Sequence, residues 1–261
     1  MTSNRVTSVM KKQLVAIGML FVLLGGCVTT TDQPRRQSNP AEARDAYIQL
    51  GLGYLRNGET ERAKAPLREA LQLDARSEDA HVALAQVFWQ EGEDKSAEQH
   101  FRSALASAPT SARILNNYGA FLMEQERYSE ALDYFQKAAE DTFYAERSRV
   151  FENQGLAYQR LNQPEQARAS FERALRLNSR QPRALLEMAR IEFDSQNYVP
   201  AWQYYLGFTQ LSAQNASSLW LGVQLARRLS DHNRAASYAL QLRRLYPATP
   251  EARALAEAGS S

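Results

Sequence analysis

Cysteine is almost absent from this chain of 261 residues, which contains one, Cys27. A single cysteine excludes an intramolecular disulfide framework and a zinc site built on paired cysteines. The chain also lacks the His-Glu-x-x-His, Gly-x-Ser-x-Gly and phosphate-loop motifs of metallopeptidases, serine hydrolases and nucleotide-binding enzymes. We therefore expect a protein that is not an enzyme and that uses no metal or cofactor.

Histidine is scarce as well, and the three in the chain are His81, His100 and His232. Neither of the first two is followed by a second metal-ligand type three or four residues later, so both are expected to be packed or half-exposed. Two acidic pairs near helix ends are expected to be solvated surface. These pairs are Glu91 with Glu93 and Glu124 with Glu126.

An excess of positive charge is missing once the N-terminal segment is set apart. The chain has 31 Lys and Arg against 29 Asp and Glu, and residues 1–26 contain three basic residues and no acidic one. The remainder has 28 basic residues (31 minus 3) against 29 acidic ones, with no run of five or six like charges. We therefore expect neither nucleic acid nor a small-molecule substrate as a ligand.

The one long apolar run is Leu14–Leu24, which follows Lys11 and Lys12. A permanent membrane-spanning helix needs about 20 apolar residues, and this run is shorter. A basic segment followed by a short apolar run is typical of a secretory signal peptide. We predict a signal peptide over residues 1–26, with translation beginning at Met1 or Met10.

The signal segment ends in Leu24-Gly25-Gly26-Cys27, which resembles the bacterial lipobox. The resemblance implies cleavage before Cys27 and acylation of the cysteine by palmitate-type chains. One acyl chain binds a membrane only marginally, whereas two anchor it stably. Val28 stands where Asp would retain the protein in the inner membrane, which favours the periplasmic face of the outer membrane. The alternative is an uncleaved anchor helix with a chance cysteine.

The residues after Cys27 predict a flexible tether over 27–43. Thr, Gln, Ser and Pro dominate this segment, and it shows no apolar period. Asn39-Pro40 offers a helix N-cap followed by a first-turn proline, so the first helix is predicted to begin there.

From residue 44 onward the sequence repeats with a period of 34. Small residues recur at two phases: Gly51, Ala85, Gly119 and Gly155 in one series, and Ala63, Ala97, Ala131 and Ala167 in the other. Two residues are inserted near Asp141-Thr142-Phe143. The last two copies are weaker, and Gly222 lies one position early.

This pattern resembles the tetratricopeptide repeat, a pair of antiparallel helices. Six copies are predicted at 44–77, 78–111, 112–145, 148–181, 182–215 and 216–249, with a C-terminal tail at 250–261. Because no single repeat can bury its apolar face, the copies are expected to stack. The predicted fold is all-α, a right-handed superhelical α-solenoid.

The residue types fit such a stack. Small residues are expected where the backbones of the paired helices approach closely. Aromatic residues are expected to fill the layer between consecutive repeats, as core and not as a cofactor site. They are Tyr54, Phe88, Phe101, Phe135, Tyr158 and Phe171.

In tetratricopeptide arrays the first helix of each repeat lines the concave face, which implies a partner-binding surface here. The residues predicted to form it are Ile48, Leu52, Leu55, Val82, Gln86, Trp89 and Met123. Ile48, Leu52 and Leu55 would form an exposed apolar ridge, suited to a helix or extended segment with spaced apolar anchors. Alternatively, the tether covers the ridge, or the assignment of positions is off by one residue.

A lipobox, a short tether and six repeats, in this order, resemble the PilF/PilW family of type IV pilus biogenesis lipoproteins. Residues 50–71 and 114–138 are especially similar to that family. The resemblance implies a pilotin, which localises the outer-membrane secretin subunit and promotes its multimerisation, supporting pilus assembly and twitching motility. The alternative is a lipoprotein adaptor for cell-wall hydrolases or for outer-membrane barrel assembly.

Overall fold

The computed structural model describes residues 39–258. The predicted signal peptide, Cys27 and most of the predicted tether lie outside the described residues. The compact unit that contains the repeats begins at Ala43. Within residues 39–258, no helix is both long enough and apolar enough to cross a bilayer.

Thirteen α-helices and no strand are found in the described residues, which confirms the all-α prediction. They are α1 (Pro40–Arg56), α2 (Thr60–Leu73), α3 (Glu78–Gln90), α4 (Asp94–Ser107), α5 (Ala112–Glu124), α6 (Tyr128–Glu140), α7 (Arg147–Arg160), α8 (Pro164–Leu177), α9 (Pro182–Asp194), α10 (Tyr198–Thr209), α11 (Ala216–Arg228), α12 (His232–Leu245) and α13 (Pro250–Glu257). The first twelve form six consecutive pairs, one for each predicted repeat.

Helix boundaries follow local chemistry. The Ala41 backbone N–H donates to Asn39 Oδ1 at 3.1 Å, so α1 begins where the Asn39-Pro40 pair predicts. Prolines begin α8, α9 and α13, where a missing N–H costs no helical hydrogen bond. Between the two helices of each repeat, one residue adopts a left-handed backbone, with φ between 56° and 75°. These residues are Gly58, Gly92, Glu126, Asn162, Gln196 and Ser230.

Glycine in a first helix makes space for a large side chain of its paired helix. A Cβ on Gly119 would lie 2.6 Å from the Phe135 ring, and one on Gly155 would lie 2.6 Å from the Phe171 ring. The backbones were expected to approach closely at these positions. The structure corrects this expectation, because a ring occupies the space.

Phe101, Phe135 and Phe171 are fully buried, and Phe88 and Tyr158 pack at the edge of the same core. This burial confirms that the aromatic residues belong to the core. Each buried ring contributes about 1.5–3 kcal/mol through loss of apolar surface from water.

Residues 250–257, predicted as part of a tail, instead form α13. Its Ala252 and Leu255 pack against Leu219 and Val223 of α11. A terminal repeat lacks a neighbour to cover its apolar face. Helix α13 supplies that cover at the C-terminal end of the solenoid.

Candidate partner-binding groove

The first helices of the first three repeats line an open cavity of about 660 Å³. The lining residues are Leu52, Leu55, Arg56, Gln86, Trp89, Gln90 and Glu124. Apolar side chains of α1 and α3 thus lie beside a guanidinium, a carboxylate and two amides. Such a surface is suited to a peptide segment, which brings both apolar and polar groups.

A second cavity of about 330 Å³ adjoins the first, because Trp89 and Glu124 line both. Its other lining residues are Ala120, Met123, Glu126, Tyr128, Asn153, Leu156, Arg160 and Arg183. We call the two cavities together the inner groove. The first cavity is the more apolar part, and the second has more charged and amide side chains.

Trp89 lies at the junction of the two cavities. Its Nε1–H donates to Glu124 Oε2 at 2.7 Å, and its ring meets Phe101 and Phe121 edge-on at centroid distances of 6.4 and 5.8 Å. Packing therefore fixes one side of the indole and the hydrogen bond fixes the other. The rest of the ring lines the groove.

Five of the seven predicted binding residues border the inner groove. They are Leu52, Leu55, Gln86, Trp89 and Met123. All are half-buried except Leu55, which is 8% exposed. Their role in binding a partner stays a prediction.

The exposure expected of Ile48 and Val82 is wrong. Ile48 is 5% exposed and packs with Ala70 and Ala80, where α1 meets the following two helices. Val82 is 3% exposed and belongs to the cluster of Ala104 and Ile114. An apolar residue every third or fourth position marks a buried helix face as readily as an exposed one. The sequence pattern therefore could not separate the two cases.

Some groove residues were not predicted, although they follow the repeat. The last residues of the first four first helices all line the groove: Arg56, Gln90, Glu124 and Arg160. They occupy one repeat position, so the period of 34 could have identified them. In chain order these residues are a cation, an amide, a carboxylate and a second cation. This repeat position therefore carries varied polar chemistry.

Glu91 also differs from expectation. It was predicted to be solvated, but its side chain is 16% exposed and forms an ion pair with Lys64 at 2.7 Å. Lys64 also pairs with Glu61 at 2.8 Å and lies over the Phe88 ring. This cluster joins α2 of the first repeat to the C-terminal end of α3 in the second.

The later part of the inner surface is polar. Asn153 Nδ2 donates to Asn116 Oδ1 at 2.9 Å, which links α7 to α5. Burial raises the pKa of Glu152 above its ordinary value, although the charge of nearby Arg183 opposes this shift. Among the described residues, no three His, Cys, Asp or Glu side chains are grouped as metal ligands would be.

His81 and His100 meet outside the groove. Their Nδ1 atoms are 2.9 Å apart, His81 Nε2 lies 3.2 Å from the Ala75 carbonyl, and Phe88 stacks on His100. Burial, with the nearby charges of His81 and Arg68, lowers the pKa of His100 to about 4. Both histidines are part-buried packing residues, as the sequence predicted.

Comparison with known proteins identifies the repeat and the family. Tetratricopeptide repeat family models match residues 48–112, 110–180 and 153–216. The type IV pilus assembly protein PilF of Pseudomonas aeruginosa is 54% identical over 235 residues, which are 89% of this chain and 93% of that protein. This chain belongs to the PilF family.

Solved structures agree with this assignment. The Pseudomonas aeruginosa PilF structure matches with a TM-score of 0.82 and 54% identity, over 84% of this chain and 98% of that one. PilW, described as a widely conserved type IV pilus biogenesis factor, matches with a TM-score of 0.72 and 28% identity, over 82% and 98%. The PilF-family chain is thus a tetratricopeptide-repeat protein of type IV pilus biogenesis. Repeat scaffolds of this kind are typically non-enzymatic.

Proposed function

We propose that this PilF-family chain is an outer-membrane lipoprotein and a pilotin. Lipid chains on Cys27 hold it at the periplasmic face, and the inner groove binds the type IV pilus secretin subunit. Binding brings the subunit to the outer membrane and promotes its multimerisation, which supports pilus assembly and twitching motility.

The observation that carries this proposal is the open groove beside Leu52, Leu55 and Trp89. Its volume and its openness to solvent suit a polypeptide segment, whereas a small-molecule site is usually enclosed and buries most of its ligand. Trp89 is held by Glu124 and by the rings beneath it. A side chain already fixed loses little conformational entropy when the partner binds, so it is a suitable anchor.

The second part of the groove adds selectivity. A segment that extends past Trp89 meets Met123 and Leu156 together with several polar side chains, and those polar side chains favour a segment with matching donors and acceptors.

 The polar side chains there are those of Glu124, Glu126, Tyr128, Asn153, Arg160 and Arg183. We expect the bound segment to place apolar residues near Leu52 and Trp89 and acidic or amide residues near Arg160 and Arg183.

Replacing Cys27 tests the anchoring step. In cells carrying Cys27→Ala, we expect the protein to leave the outer-membrane fraction and secretin multimers in that fraction to fall. A Gln99→Ala variant, altered on an exposed outer position, serves as the control for expression. Unchanged multimers in the outer membrane of the Cys27→Ala cells would contradict the proposal.

A photo-crosslinking residue in place of Leu52 or Trp89 tests the groove. Membranes are irradiated and the crosslinked partner is identified after purification, with a probe at Leu240 as the control outside the groove. Recovery of the secretin from the groove probes alone supports the pilotin function. Recovery of a cell-wall hydrolase or a barrel-assembly component without the secretin favours an adaptor instead.

A further inference from the structure

The first helix of each later repeat has a face that packs against the preceding repeat. In α3 this face is Ala80, Leu84 and Val87, which share clusters with Ala63, Leu67 and Ala70 of α2. The matching residues of the next helices are Ile114, Tyr118 and Phe121, then Val150, Gln154 and Ala157, then Ala184, Met188 and Ile191. All are buried except Ile191, which is half-buried. This face therefore needs a covering helix.

In α1 the matching residues are Ala46, Leu50 and Gly53, and no preceding repeat covers them within residues 39–258. Leu50 is 48% exposed and the adjacent Tyr47 is 37% exposed, whereas Leu84 at the position of Leu50 is 1% exposed. We call Ala46, Tyr47, Leu50 and Gly53 the end face. The end face thus has residue types that are typical of the core, although it is exposed to solvent.

Gly53 gives a second, independent sign that this face has an occupant. A glycine within a helix costs about 1 kcal/mol relative to alanine. Gly51 is explained by Leu67, which a Cβ would meet at 2.5 Å. A Cβ on Gly53 would meet only the flexible Arg56 side chain, at 3.9 Å. Gly53 thus leaves room on the outer surface of α1, which is enough for another helix to pack closely against it.

The helices that cover this face elsewhere share a pattern. They carry a small, a large and a small residue at spacings of four and three positions: Ala63, Leu67 and Ala70; Ala97, Phe101 and Ala104; Ala131, Phe135 and Ala138; Ala167, Phe171 and Ala174. The end face has this same pattern in Ala46, Leu50 and Gly53. It is therefore complementary to itself.

We infer that the end face binds a second copy of this chain, with the two α1 helices packed antiparallel about a two-fold axis. A symmetric interface of this kind uses the same patch on both copies. An antiparallel pair centred on Leu50 sets Tyr47 of each copy against Gly53 of the other.

The dimer leaves the inner groove free. Leu52 and Leu55 lie on another face of α1, where they border the groove and the core. The inference stands on the end face alone and does not require the secretin to be the partner. A single helix pair also buries less area than a standard stable interface, so the dimer is expected to dissociate on dilution.

Sedimentation of the full chain in density-matched detergent tests the inference over micromolar to several hundred micromolar protein. We expect a monomer–dimer equilibrium that Leu50→Arg weakens at least tenfold, because it places two guanidinium groups at the two-fold axis. Leu240→Arg is the matched control, since Leu240 is an exposed leucine on α12. It is expected to leave the equilibrium unchanged.

Gly53→Leu separates assembly from folding. Leucine is a better helix former than glycine, so the melting temperature is expected to stay the same or rise while the dimer weakens at least tenfold. If the protein is a monomer at every concentration, the inference is overturned. The face would then be covered by residues before Asn39 or by a different protein. A dimer that neither end-face variant weakens overturns it as well.

Discussion

The indole Nε1–H of Trp89 donates to Glu124 Oε2 at 2.7 Å, which joins the first helices of the second and third repeats. Both residues line both cavities of the inner groove. The bond therefore controls the shape of the groove at the point where its apolar and polar parts meet. A groove that is already shaped loses less free energy to ordering when a partner binds.

A double-mutant cycle measures this bond. We expect Trp89→Phe and Glu124→Ala to show a coupling free energy of about 1 kcal/mol, since the hydrogen bond is partly solvated but its acceptor is charged. Urea unfolding of the four proteins provides the values. Glu124→Gln keeps an acceptor and is expected to lose less stability than Glu124→Ala. A coupling indistinguishable from zero would show that the bond does not hold the two repeats together.

The glycines of the first helices provide a second prediction. Gly119→Ala places a methyl group 2.6 Å from the Phe135 ring, and such overpacking costs about 1–3 kcal/mol. The gain in helix propensity of about 1 kcal/mol offsets only part of this cost. We expect a net loss in the free energy of unfolding.

Gly53→Ala is the matched control for Gly119→Ala. Both changes are the same in chemistry and both lie within a first helix, but no fixed atom lies within 4 Å of the Gly53 Cβ position. Gly53→Ala is therefore expected to stabilise the folded chain. If both variants lost stability to the same extent, the close approach of Phe135 would not be the reason for Gly119.

The solenoid was predictable from sequence because its constraints repeat. Gly119 and Gly155, with Phe135 and Phe171, recur at fixed phase, and each recurrence strengthens the same interpretation. Helix α13 was not predictable in this way. It occurs once, and its role depends on contact with Leu219 rather than on any period.

The groove was only partly predictable. The repeat positions expected on the concave face selected Leu52 and Trp89, which line the groove, but they also selected Ile48, which the fold buries between α1 and its neighbours. Which side of an apolar helix stays exposed depends on the direction of the neighbouring helices. That information is tertiary, and the sequence pattern of one helix does not contain it.

The left-handed turn positions give a third prediction. Glu126 and Gln196 adopt φ of 59° and 63°, where Gly58 and Gly92 occupy the equivalent turns. A left-handed conformation costs an ordinary residue about 1–2 kcal/mol, partly offset by the greater unfolded-state entropy of glycine. We expect Glu126→Gly and Gln196→Gly to stabilise the chain by about 0.5–1 kcal/mol each in urea unfolding.

Asn162→Gly is the control for these turn variants. Asn162 has φ of 56°, but asparagine tolerates this conformation better than glutamate or glutamine. A change close to zero is therefore expected. The reverse substitution, Gly92→Ala, is expected to destabilise the chain, and an unaltered stability there would contradict the argument.

The histidine contact makes the fold sensitive to acid. Burial lowers the pKa of His100 from the ordinary value of 6.5 to about 4. The unfolded chain therefore binds a proton at this site at a higher pH than the folded chain does. The contribution of His100 to stability is complete above pH 6.5 and is lost as the pH falls from 6.5 to about 4.

His100→Gln removes this titration. The free energy of unfolding, measured in urea at several pH values, is expected to fall less steeply between pH 6.5 and 4 in the variant than in the parent chain. His232→Gln, changed at an exposed position at the start of α12, is the control and is expected to keep the parent slope. If His100→Gln also kept the parent slope, the buried imidazole would not be a source of the acid sensitivity.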